Sequence, residues 1–124
     1  MKTDLNEIRN TLESIFKKQV PPLKIRKDTN VSFELAGTKE VMQGKQKVDG
    51  FYFASIVPKP NDIRWYFFPI YTHVDQYNSL SDELKKCKKG KSCFHIKKLS
   101  EAMEEEILQM MQKGVELYKE EGLI

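Results

Sequence analysis

Apolar residues near the start of the chain recur at three- and four-residue steps. Leu5, Ile8, Leu12 and Ile15/Phe16 fall on one helical face, which predicts a helix from about Asp4 to Gln19. Asp4 caps its free amides, with Glu7 three residues later in a capping-box-like arrangement. Pro21-Pro22 then ends the helix. From Asp28 the period falls to two. Val31, Phe33 and Leu35 alternate with Ser32 and Glu34, so a strand with one buried face is expected. Gly37 marks a turn. Residues 41–44 and 45–48 read as a second strand with a glycine bulge. Asp49-Gly50 has the composition of a two-residue hairpin turn, Phe51 to Val57 reads as a third strand, and Pro58 to Asp62 as a loop.

The stretch Ile63 to Val74 (IRWYFFPIYTHV) is the aromatic centre of the chain. It reads as a fourth strand whose unbroken apolar run, residues 65–68, is expected to meet protein on both faces. Pro69 cannot donate to a ladder, so the strand runs along an edge, bulges, or is interrupted there. The second, third and fourth strands are expected to form an antiparallel meander. A helix is predicted over 79–89, with Leu80, Leu84 and Cys87 on one face, Ser79 and Asp82 at its start and Gly90 as its stop. A fifth strand follows over 92–97, with Phe94 and Ile96 facing inward. The last helix opens at Ser100, buries Met103, Ile107, Met110/Met111 and Leu117/Tyr118, and stops at Gly122. The order helix, four strands, helix, strand, helix predicts a single α+β domain. Its mostly antiparallel sheet has about five strands, with the terminal helices on one face and the short helix near an edge.

Composition narrows the setting. The chain has 124 residues, enough for one domain with its own core. No run approaches the ~20 apolar residues of a membrane span, and MKTDLNEIRN carries no apolar signal core. Two cysteines do not make a disulfide framework, so a reducing, cytoplasmic setting is expected. The net charge is +3, but Lys85 to Lys98 (KKCKKGKSCFHIKK) holds seven lysines and no acid, which leaves the rest of the chain net acidic. A basic patch on an acidic body points to an anionic partner.

Five constellations within this frame have the residue types for chemistry. KKGKS resembles the end of a P-loop, but Lys85 stands where the first glycine belongs, and a helix precedes it where a strand is required. With Phe94 and Ile96 inside, Lys91, Cys93, His95 and Lys97 share the opposite face, where a thiol among ammonium groups would have a lowered pKa. Cys87, Cys93, His95 and His73 are zinc-ligand types at spacings unlike a finger or ribbon. The lysine run lacks the interleaved exposed aromatics of a nucleic-acid surface. The acids Asp4, Glu7, Glu13, Glu101 and Glu104 to Glu106 read as solvated helix faces. No catalytic motif stands out, and no cofactor is expected. The function this supports is a non-enzymatic module that binds an anionic small molecule or acidic partner through Lys88, Lys89, Gly90, Lys91, Ser92, Cys93 and His95, with amides near Gly90 suited to phosphate-type groups.

The segment FYFASIVPKPNDIRWYFFPIYTH, followed by LKKCKKGKSCFHIKK, resembles the YdhG-like family of small bacterial proteins, a domain family of unknown function. The shared features are a hydrophobic strand, a polar hairpin, an aromatic strand ending near a proline, a short helix, and a KGKSCF-type entry into a final strand and helix. The resemblance spans roughly residues 5 to 120. It implies an α/β sandwich on a twisted antiparallel sheet. Some relatives are frataxin-like iron chaperones, so it also implies an alternative function as an intracellular iron carrier. A thiol enzyme or redox protein using Cys93 is a second alternative.

Overall fold

The computed structural model describes residues 1–124. Helix α1 (Leu5–Lys17) begins where Asp4 accepts a hydrogen bond from the Asn6 amide at 3.2 Å, and it buries Ile8, Leu12, Ile15 and Phe16. Strands β1 (Lys24–Asp28) and β2 (Phe33–Ala36) follow, then a ribbon of β3 (Val41–Gln43) and β4 (Gln46–Val48). Next come β5 (Tyr52–Pro58), β6 (Ile63–Phe67), the single turn α2 (Pro69–Thr72), a 3-10 turn (Val74–Gln76), α3 (Asp82–Cys87), β7 (Cys93–Ile96) and α4 (Glu101–Glu120).

The main sheet has five antiparallel strands in the order β1-β2-β5-β6-β7. The number agrees with the sequence pattern, but the membership differs. β1 belongs to the sheet, whereas β3 and β4 pair only with each other. The expected meander therefore starts one element too late: β5 pairs with β2 and skips the ribbon. Asp49-Gly50 is no hairpin turn. The ribbon reverses at Gly44, whose φ is +65°, while Gly50 lies where two chain segments touch. A Cβ on Gly50 would sit 2.3 Å from the Gly37 carbonyl oxygen, so only glycine fits. Val31 is exposed because it precedes β2, in the turn that joins it to β1.

One face of the sheet carries the core. Phe33, Ile56, Trp65 and Phe94 stand opposite one another in a row across four strands, each at most 2% exposed. A register shift in the β2–β5 pairing adds a residue to β5, between the positions that pair with Ala36 and Leu35. Both Phe53 and Ala54 are buried there. Helices α1 and α4 cover this face, with Phe16 edge-on to Phe33 and Tyr118 edge-on to Phe53. Burying each such ring or branched side chain contributes about 1.5–3 kcal/mol.

The other face is more polar, and Glu34 and Ser55 are buried in it. Glu34, Ser55, Tyr66 and Cys93 form one cross-strand row, and Val57, Arg64 and His95 the next. Tyr66 is half-buried on this face, so the run 65–68 is not fully enclosed on both sides. β6 is also an inner strand, and the interruption expected at Pro69 is what occurs, with proline in the first position of α2.

Helix α3 is shorter than its pattern. Ser81, not Ser79, caps it, accepting from the Leu84 amide at 3.2 Å, and it ends at Cys87. Gly90, with φ +87°, belongs to the following turn. α3 lies beside the edge strand β7, as the Lys89 amide donates to the Cys93 carbonyl at 2.8 Å. No helix is long and apolar enough to cross a membrane.

Candidate anion-binding site

The turn at Gly90 folds the exit of α3 back along β7, so Lys88 pairs with Phe94. Neighbouring lysines consequently take opposite sides. Lys89 joins Lys86, Lys97 and Lys98 around a cavity of about 540 Å³, bounded by α3, the end of β7 and the start of α4, with Cys87 and Met103 in its wall. His95 reaches the same cavity from β7. Lys88 and Lys91 instead line a second cleft beside α2.

The four ammonium groups of the first cavity have no anionic partner in the chain. The lysine ion pairs are made by Lys2, Lys24, Lys27, Lys47 and Lys119. Two carboxylates share the wall, and neither is paired with one of these lysines. Asp62 is buried, with one oxygen 3.3 Å from the Arg64 guanidinium and the other 3.6 Å from His95 Nδ1. Glu83 accepts from the Ser100 hydroxyl at 3.0 Å. The cavity thus has more lysines than carboxylates in its wall, with the His95 ring 3.6 Å from Asp62 at one side.

The remaining expected site residues have other roles. Lys88 Nζ donates to the Gly90 carbonyl at 2.6 Å, and the Lys89 amide is used by β7. The turn is therefore not a cradle of free amides. The Ser92 carbonyl accepts from the Phe67 amide at 2.8 Å and ties the end of β6 to the entrance of β7. Cys93 lies on the face away from α1 and α4, opposite Tyr66 on the neighbouring strand. Burial pushes its thiol above the ordinary value, against the lowering effects of Tyr66 and Arg64. The Cys87 thiol is raised too, first by burial and then by Glu83. Neither cysteine has the depressed pKa that would activate it.

No three His, Cys, Asp or Glu side chains come together in a group able to hold a metal ion. His73, one of the four zinc-type residues, bonds Thr72 and Glu121. Several helix acids also have local partners: Glu104 takes Lys2 at 2.6 Å, Glu13 takes Arg9 at 3.4 Å, and Glu106 accepts from the Ser81 amide at 2.8 Å. Asp62, Glu83 and Met103 are wall residues that the lysine run does not reveal, because they arrive from distant segments. Lys86, Lys97 and Lys98 lie within that run. Their convergence with Lys89 follows from the Lys88–Phe94 pairing. No protein-family model matches this chain, and neither does any curated protein or solved structure.

Proposed function

We propose that this protein is a non-enzymatic module that binds a small, multiply charged anion of the phosphorylated or polycarboxylate class in the cavity formed by Lys86, Lys89, Lys97 and Lys98. One observation carries this reading: four lysines from both sides of one turn line a single concavity, and none of them makes an ion pair within the chain. Such groups gain when a ligand supplies charge-assisted hydrogen bonds, each worth about 1.5–3 kcal/mol where water is excluded and less at an open rim. The concave shape favours a small molecule over a flat acidic protein surface. With both thiols raised, the binding role is favoured over a thiol-based one.

Calorimetric titration with pyrophosphate and with citrate tests this. Saturable binding is expected that weakens as salt rises, since exposed charges are screened within about 8 Å at 0.15 M. Lys89→Glu combined with Lys97→Glu is expected to lower affinity at least about tenfold. Lys88→Glu with Lys91→Glu, on the far side of the turn, is expected to leave it unchanged. Absence of saturation in the millimolar range, or indifference to Lys89 and Lys97, would overturn the assignment.

A further inference from the structure

Tyr71 and Val74 are two of the few large apolar side chains left at the surface, 50% and 60% exposed. They form the lip of a cleft of about 400 Å³ whose floor is Ile70, Tyr77 and Leu80. The floor is fixed in place. Tyr77 donates its hydroxyl to the Met110 carbonyl at 3.1 Å, and its ring stands edge-on to Phe67. Tyr71 is braced by Phe68, with ring centres 5.6 Å apart.

Across from this apolar surface stand Lys88 and Lys91. The Lys91 ammonium lies 5.5 Å from the centre of the Tyr71 ring. Lys88 Nζ spends one proton on the Gly90 carbonyl, which leaves two for another acceptor. Neither lysine has a carboxylate partner, and no carboxylate lines the cleft. An apolar floor with positive charge on one rim complements a molecule that is apolar over most of its body and anionic at one end.

We infer that this second cleft binds a small amphipathic carboxylate, specifically an arylalkyl acid. Its ring packs on Tyr71, Ile70 and Leu80, and its carboxylate meets Lys88 and Lys91. A polyphosphate does not suit the site, because two ammonium groups cannot replace its hydration and the floor offers no donors. An aromatic body suits it, since Tyr71 presents a ring face beside a cation and Tyr77 lies below. This site is separate from the four-lysine cavity and stands or falls independently of it.

The probe is 4-phenylbutyrate, titrated into the full chain and followed by amide chemical shifts, with 4-phenylbutanol as the uncharged counterpart. Saturable shifts are expected at Ile70, Tyr71, Val74 and Leu80, with the alcohol at least about tenfold weaker. Lys88→Glu with Lys91→Glu is expected to cost a similar factor. Val74→Asp sits at an exposed position that the core does not need and is expected to block binding while the amide spectrum stays dispersed. The inference is overturned by any of three results: no saturable shift up to about 10 mM, equal binding of acid and alcohol, or shifts centred on Lys86 and Lys97.

Discussion

Gly114 in α4 crosses the ring of Phe53 so closely that a Cβ at this position would lie 3.0 Å from Phe53 Cε1 and 3.1 Å from Pro69 Cγ. The helix approaches β5 this closely only because residue 114 lacks a side chain. Replacing glycine by alanine inside a helix ordinarily gains about 1 kcal/mol. Here Phe53 cannot step aside, held edge-on by Tyr118 at 5.1 Å and Phe67 at 5.7 Å, and overpacking costs about 1–3 kcal/mol. Gly114→Ala is therefore expected to destabilise by a net of about 0–2 kcal/mol in urea unfolding, in place of the usual gain. A stabilised variant would show that the aromatic cluster yields.

Trp65 separates the value of a ring from the cost of its polar atom. It is fully buried, stacked on Phe94 at 4.7 Å and Phe67 at 5.0 Å, yet its indole N–H has no acceptor in the protein. Trp65→Ala removes the centre of the row and is expected to cost about 3–5 kcal/mol, comparable to the whole stability of a small domain. Trp65→Phe gives up some area but also sheds a buried donor worth about 1–3 kcal/mol when unmade, so its loss is expected to be well under half as large. Chemical denaturation of both variants checks the ratio. Near-native stability of Trp65→Ala would remove Trp65 from the structural centre.

Alkaline pH is expected to weaken the fold through its phenols. Burial pushes Tyr52 up to about 12 and raises Tyr77 and Tyr118 as well. Above about pH 10 the unfolded chain releases these protons while the folded chain keeps them, so stability falls as pH rises, by at most ~1.4 kcal/mol per pH unit for each phenol. Below pH 10 the contribution is fully present. Tyr118 also donates to the Tyr52 carbonyl. Tyr118→Phe is thus expected to cost about 1 kcal/mol at pH 7, and this deficit should shrink at pH 11. Melting curves at the two pH values decide it, and a deficit that stays constant contradicts the sign.

What the sequence revealed depended on how local the cause was. The buried stripes of α1 and α4, the caps at Asp4 and Ser100, and the inward pair Phe94 and Ile96 all arise within one element. Periodicity alone finds them. β1 is hidden because Lys24–Asp28 contains one apolar residue, Ile25, itself 42% exposed. Charged, bulged edge strands resist further pairing and carry little pattern. The ribbon 41–48 has strand composition, but its exclusion from the sheet is settled by β2 meeting β5, a long-range event. The lysine run was likewise legible as charge. Which cavity each lysine enters depends on the Gly90 turn and on the pairing of Lys88 with Phe94, and neither leaves a mark in composition.

The pinched base of the ribbon has a kinetic consequence. β2 and β5 can zip together only after the chain from Gly37 to Phe51 has closed into a loop, joined at its neck by the Gly37 amide and the Phe51 carbonyl. Within that loop, β3 and β4 pair around Gly44 at short range, an event on the timescale of about 1–10 μs. Once formed, the ribbon leaves only its short flanks to be ordered, which lowers the closure entropy opposing the central strand pair. A ribbon that adds nothing to the sheet's width thus shortens the span of free chain that must be closed before β2 and β5 meet.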